Sequence, residues 1–342
     1  MTARAFITGL SGPQLGPDER AFLRDAQPWG VILFKRNVDD PDQVRALVDA
    51  CREALGRDAP VLVDQEGGRV QRLGPPHWPA YPPGAAYGAV YDRDPAAGLA
   101  AARLGGRLIA ADLRAVGIDV DCLPLADVPV PGADRVIGDR AYGEEPAKVA
   151  AIAGAVAEGL LQGGVLPVLK HIPGHGRAGV DSHERLPTVD TPRDELDRTD
   201  FEAFRRLASL PLAMTAHVVF STIDPHEPAT TSEILVRDVI RAAIGFDGLL
   251  MSDDVSMGAL RGTIGQRAER SLAAGCDLVL HCNGRRDEMD AVAAAVPPLT
   301  GAAARRAEAA LAARRAPAEF DAAAARAEFS ALLESGDART LV

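Results

Sequence analysis

Short apolar runs alternate with amphipathic stretches along most of the chain. The runs lie at Ala5–Gly9, Gly30–Phe34, Pro60–Val63, Ile118–Leu123, Val165–Leu169, Leu212–Thr215, Leu249–Met251 and Asp277–Leu280. Several, such as Val31-Ile32-Leu33-Phe34 and Val61-Leu62-Val63, are apolar at every position instead of every second one. Continuous runs of this length predict strands buried on both faces, as in a parallel sheet wrapped by helices.

The stretches between them predict helices. Asp40-Pro41-Asp42-Gln43 is a strong start signal: a capping carboxylate, proline at the first helical position and glutamine three residues on. Val44, Leu47, Val48, Cys51 and Leu55 then form one apolar stripe at helical spacing. Leu104, Leu108, Ala111 and Ala115 repeat the pattern until Gly117, which suits a helix end. Eight strands with helices between them predict a (β/α)8 TIM barrel. A doubly wound open sheet is the alternative, because periodicity does not report closure. A barrel takes about 250 residues. The Ala/Arg-rich stretch from 300 on therefore reads as extra C-terminal helices, with residues 1–342 forming a single domain and 300–342 its helical extension. No internal repeat and no long Pro/Gly linker divides the chain.

Composition narrows the function. Thirty-seven basic side chains against 48 acidic ones give a net charge of −11, which offers no electrostatic footprint for nucleic acid. No apolar run approaches the roughly 20 residues of a membrane span, and Met1–Leu10 lacks the pattern of a secretory signal. The four cysteines, at 51, 122, 276 and 282, form no C-x-x-C pair, so free thiols in a reducing cytoplasm are expected. Lysine is rare, with only Lys35, Lys148 and Lys170, and three of the seven histidines (His171, His175, His183) crowd one short window.

Chemistry-bearing residues collect where the strands end, which in a parallel barrel is the catalytic rim. The third strand runs into Asp64-Gln65-Glu66-Gly67-Gly68-Arg69-Val70-Gln71-Arg72, the fifth into Lys170-His171-Ile172-Pro173-Gly174-His175-Gly176, the sixth towards His217 and the seventh into Ser252-Asp253-Asp254. Four strands delivering charge to one rim predict a polar pocket, since buried charge needs partners. The segment from Lys170 to about Pro192 is long enough to be a lid or binding loop. Within it Asp181-Ser182-His183 spaces a carboxylate to fix the tautomer of an imidazole. The same histidines allow a zinc reading, but Pro173-Gly174 disfavours the helix that an i, i+4 pair requires, and no metal or other cofactor is expected.

The segment Lys170 to Gly176, followed four residues later by Asp181-Ser182-His183, resembles the signature of glycoside hydrolase family 3 β-N-acetylglucosaminidases. Ile32-Leu33-Phe34 with Arg36-Asn37, Asp64 to Arg72, and Gly245-Phe246-Asp247-Gly248 through Ser252-Asp253-Asp254 match the same family in order. Ile172 stands where phenylalanine is common. The resemblance implies a (β/α)8 barrel, a nucleophile at Asp253, and a general acid/base at His183 supported by Asp181. It also implies that Asp64, Arg72, Arg140, Lys170 and His171 hold the terminal sugar, with His175 structural.

The activity so implied is retaining, exo-acting hydrolysis of terminal N-acetylglucosamine from β-linked saccharides, with muropeptides as substrate in cytoplasmic peptidoglycan recycling. A monomer with no nucleic-acid or membrane partner is expected. The alternatives are a phosphorylase on the same scaffold, a metal-dependent barrel hydrolase, and a non-catalytic sugar-binding barrel.

Overall fold

The computed structural model describes residues 3–334. Eight parallel strands close into a barrel: β1 (Arg4–Gly9), β2 (Pro28–Leu33), β3 (Val61–Val63), β4 (Val120–Asp121), β5 (Leu166–Ile172), β6 (Leu212–Thr215), β7 (Leu249–Asp254) and β8 (Leu278–His281). They neighbour one another in chain order, and β8 pairs with β1 through Phe6↔Val279 and Ile7↔Leu280. Closure settles the choice against the open sheet.

Alternation within each strand sorts side chains into two cores, because successive residues point to opposite faces. Ile7, Ile32, Leu62, Leu166, Val168, Met214, Met251 and Leu280 pack inside the barrel. Phe6, Val31, Leu33, Val61, Val63, Leu169, Leu250 and Val279 face the helices. Both faces are apolar, hence the unbroken apolar runs.

The predicted first-turn chemistry forms as expected. The Asp40 carboxylate accepts from the Gln43 amide at 2.9 Å and caps the helix Pro41–Leu55. The helix Pro95–Ala115 ends just before Gly117, whose φ is +83°.

Two strands run further than the apolar pattern suggests. β5 continues through Lys170, His171 and Ile172, held by Ile172↔Thr215 and by a bridge from Lys170 to Leu125. β7 continues through Ser252, Asp253 and Asp254. Lys170, His171 and Asp253 therefore stand on strand ends, stiffer supports than the loops expected from sequence. β4 is shorter than expected, at two residues.

Two short pairs lie outside the barrel: an antiparallel hairpin of Gln65–Gly67 with Val70–Gln71, and a parallel pair of Thr188–Val189 with Val219–Phe220. The helix Gly301–Ala312 closes the end opposite the polar rim. There Leu299 N–H bonds Ala3 O at 2.8 Å, and Arg306 pairs with Asp277 and Asp247 at 3.1 and 2.8 Å. The helix Ala322–Glu334 lies against Pro95–Ala115, with Arg326 on Asp112 and Phe329 beside Tyr81 and Tyr87. The last part of the expected extension, 335–342, lies outside the described residues.

Candidate active site

A cavity of about 300 Å³ opens at the C-terminal ends of the strands. Asp64, Arg72, Arg140, Lys170, His171, Asp181, His183 and Asp253, the residues singled out from sequence, all line it. Three groupings of contacts organise them.

The first is a chain of alternating charge. Lys170, only 2% exposed, places Nζ 3.0 Å from Asp64 Oδ1 and 2.7 Å from Glu66 Oε1. Arg72 pairs with the other oxygen of Asp64 at 2.9 Å. Arg140 grips Glu66 through Nε and Nη2, both at 2.8 Å, the planar bidentate geometry that arginine favours with carboxylates. Burial works against every one of these charges. It would lift the Asp64 and Glu66 carboxyls, but Lys170 and the arginines outweigh it and hold both below the ordinary range. It would lower Lys170, but the two carboxylates outweigh it and hold the ammonium above its ordinary value.

Local structure explains why these side chains converge. Asp64 and Glu66, two apart on an extended segment, share a face. Gln65 turns the other way, and its Oε1 accepts from the Arg72 and Leu73 amides at 3.0 Å each, folding the hairpin back so that Arg72 returns beside Asp64. The turn needs Gly67: φ there is +98°, and a Cβ would meet Pro82 O at 2.2 Å.

The second grouping centres on Asp127, fully buried after β4. Its Oδ2 lies 2.7 Å from His171 Nδ1, and its Oδ1 accepts from the His175 amide at 2.7 Å. Burial would raise this carboxyl, but His171 and the donors to it outweigh that and keep it low. His171 is thereby oriented, with no hydrogen-bond partner for its other ring nitrogen among the described residues. His175 is 3% exposed, its Nε2 sits 2.9 Å from Ser182 Oγ, and burial pushes its pKa down to about 4. It is a neutral strut under the loop, in keeping with the structural place expected for it.

The third joins the loop to β7. His183 Nδ1 lies 2.8 Å from Asp181 Oδ1, which also accepts the His183 amide at 2.8 Å. The His183 side chain is 66% exposed, so Nε2 is open. The carbonyls of Ser182 and His183 accept from the Ala259 and Gly258 amides at 3.2 and 3.1 Å. These amides belong to the segment that follows Asp253. Gly258 has no room for a side chain: a Cβ would meet His183 O at 2.8 Å and Glu184 O at 2.9 Å.

Asp253 Oδ1 accepts the Asp254 amide at 2.8 Å, while Oδ2 has no hydrogen-bond partner among the described residues. Burial would raise this carboxyl, but its surroundings, the His171 imidazole and the Asp254 amide among them, outweigh it and keep it below the ordinary range. It is an ionised carboxylate with one tethered and one free oxygen. The neighbouring Asp254 is tied up structurally, accepting from the Ser256 and Cys282 amides at 3.0 and 3.1 Å.

Glu66 and His217 stand in the strand-end segments singled out from sequence, but no role was read for either, and Asp127 gave no sequence signal. Among the described residues no group of three or more His, Cys, Asp or Glu side chains is placed to hold a metal ion, and His171, His175 and His183 each have a different partner. Cys51, Cys122 and Cys276 are buried free thiols, and Cys282 stands half-buried at the cavity. No described helix is long and apolar enough to cross a membrane.

The profile of the glycosyl hydrolase family 3 N-terminal domain matches residues 9–313. A β-hexosaminidase of Alkalilimnicola ehrlichii is 43% identical over 283 residues, 81% of this chain and 80% of that one. A β-hexosaminidase of Methylococcus capsulatus is 43% identical over 80% of this chain and 81% of that one. The crystal structure of NagZ from Neisseria gonorrhoeae in complex with N-trifluoroacetyl-D-glucosamine superposes with a TM-score of 0.85 at 32% identity, covering 99% of this chain and 98% of that one. The chain belongs to glycosyl hydrolase family 3 and is a glycoside hydrolase.

Proposed function

We propose that the enzyme is a retaining exo-β-N-acetylglucosaminidase. The observation that carries this reading is the pairing of a low-pKa carboxylate, Asp253, whose Oδ2 is free, with an open imidazole, His183, whose other nitrogen is tied to Asp181. Both line one cavity with the Asp64–Lys170–Glu66–Arg140 charge chain, whose donors and acceptors suit sugar hydroxyls. The similarity to β-hexosaminidases and to a NagZ complexed with an N-acylated glucosamine supports N-acetylglucosamine as the sugar.

In the first step Asp253 Oδ2 attacks the anomeric carbon, the glycosidic C–O bond breaks, and His183 Nε2 gives its proton to the leaving oxygen. Asp181 stabilises the imidazolium through Nδ1–H and fixes the ring so that Nε2 faces the reaction. In the second step neutral His183 takes a proton from water, the oxygen attacks the anomeric carbon, and the bond to Asp253 breaks. Two displacements retain the configuration; the usual pair of carboxylates is here a carboxylate and an imidazole. Asp64, Arg72, Arg140, Lys170 and His171 hold the terminal sugar.

The proposed substrate is a muropeptide met in cytoplasmic peptidoglycan recycling, and the proposed working form is a monomer without nucleic-acid or membrane partners. Free thiols at all four cysteines suit a reducing compartment. The test is the product of a chitobiose-like substrate, followed by NMR with and without inorganic phosphate. β-N-acetylglucosamine as first product under both conditions is expected. The α-anomer as first product would overturn retention, and dominance of the sugar 1-phosphate would make the enzyme a phosphorylase.

A further inference from the structure

The regular ladder between β7 and β6 stops at Met251↔Met214, two residues short of Asp253. Side chains finish the strand from there. Asp253 N–H points at Thr215 Oγ1 at 3.3 Å. Thr215 Oγ1 lies 2.8 Å from Thr230 Oγ1, and Thr230 Oγ1 lies 2.7 Å from His217 Nδ1. His217 Nε2 lies 3.0 Å from the carbonyl oxygen of Asp254. The path leaves the backbone at the Asp253 amide and returns to it at the Asp254 carbonyl, enclosing the nucleophile's own residue in a ring.

The direction of every bond in that ring follows from chemistry. A carbonyl only accepts, so His217 Nε2 carries hydrogen. Burial holds His217 below its ordinary pKa against the nearby Asp253 and Asp254, which keeps the ring neutral and leaves Nδ1 as an acceptor. Thr230 then donates to Nδ1, Thr215 donates to Thr230, and a lone pair on Thr215 accepts the Asp253 amide. Thr230 Oγ1 also lies 3.1 Å from Ala216 O, a longer and weaker contact than the one to Nδ1. Thr215, Thr230 and His217 have no exposed surface, and none of the three lines the cavity, so any effect on catalysis passes through Asp253. Thr230 is itself anchored, since the Ala229 amide donates to Val218 O at 2.9 Å.

We propose that Thr215, Thr230 and His217 form a positioning ring that sets the height and angle of the Asp253 carboxylate where the sheet no longer does. The proposal rests on the reading of Asp253 as nucleophile. A misplacement near 1 Å at such a group costs about a hundredfold in rate.

Thr230→Val keeps the shape and deletes the hydroxyl that joins Thr215 to His217. With an aryl β-N-acetylglucosaminide, kcat should fall about tenfold to a hundredfold while KM and the inhibition constant of free N-acetylglucosamine stay near wild type. Thr230→Ser should restore most of the rate, since it returns the hydroxyl. Should Thr230→Val not fold, Thr215→Val cuts the same ring one link away and must show the same split. Unchanged kcat in a folded Thr230→Val enzyme would overturn the proposal. So would a rise in KM at constant kcat, or a Thr230→Ser enzyme as slow as Thr230→Val. Asp253→Asn separates the two claims: if it stays active the nucleophile is misassigned, and if it is inactive while Thr230→Val is normal the ring alone is wrong.

Discussion

Lys170 Nζ stands 2.7 Å from Glu66 Oε1, its shorter ion pair, and Arg140 bonds the same carboxylate through two nitrogens. Glu66 thereby holds two of the three cations proposed to bind the sugar, Lys170 and Arg140. Removing one partner of a buried pair typically costs ~3–5 kcal/mol, because the remaining charge stays buried without compensation. Glu66→Ala should therefore lower the unfolding midpoint. The milder Glu66→Gln, which keeps the shape, should raise KM and the inhibition constant of N-acetylglucosamine about tenfold, equivalent to ~1.4 kcal/mol. Inhibition assays and thermal melts on the two variants check this; unchanged sugar affinity in Glu66→Gln would remove the charge chain from substrate binding.

The openness of His183 Nε2 and the tether of Nδ1 to Asp181 predict a leaving-group effect. His183→Ala should slow substrates with poor leaving groups by about 10²–10⁴-fold, the usual range for general acid catalysis, and activated aryl glycosides far less. Asp181→Asn should give a smaller loss in the same order. A series of aryl glycosides with leaving groups of graded acidity measures it. Equal losses across the series would argue against an acid role, and a fully active Asp181→Asn would remove the dyad.

Stability should fall on mild acidification. His175, held neutral with a pKa of about 4, has an unfolded value near ~6.5. Between those values the unfolded chain binds a proton that the folded chain does not, so stability is lost as pH falls through that window. His217 is lowered and acts the same way. Asp64, Glu66 and Asp127 are also held low. Their contribution is complete above their unfolded values near ~4 and is lost as pH falls through the folded ones. Asp121, raised by burial, acts in the opposite sense. Lys170, held high, keeps its contribution until pH rises past ~10.4. Melting curves from pH 7 to 5 should show a drop of several degrees that shrinks in His175→Gln. An equal drop in both proteins would contradict a neutral His175.

Much of this was legible from residue pattern. Continuous apolar runs gave all eight barrel strands because both faces are buried, and Asp40 and Gly117 marked helix ends through local chemistry. Boundaries failed where function interrupts the pattern. Lys170, His171, Asp253 and Asp254 are polar, so β5 and β7 looked shorter than they are; Asp64 and Glu66 after β3, Asp127 after β4 and Thr215 on β6 supply partners there. Asp127 and Thr230 gave no periodic signal, since each lies in irregular backbone and meets its histidine only after folding. The proposed sugar-binding and catalytic residues came from the family resemblance, and the cavity gathers all of them.

In the proposed double displacement Asp253 becomes covalently attached to the sugar. Peptide mass spectrometry on enzyme quenched during turnover of a slow, fluorinated N-acetylglucosaminyl donor tests it directly. One N-acetylglucosaminyl-type adduct is expected on the peptide that carries Asp253, and none in Asp253→Ala. An adduct on another residue, or steady turnover with no adduct at all, would contradict it.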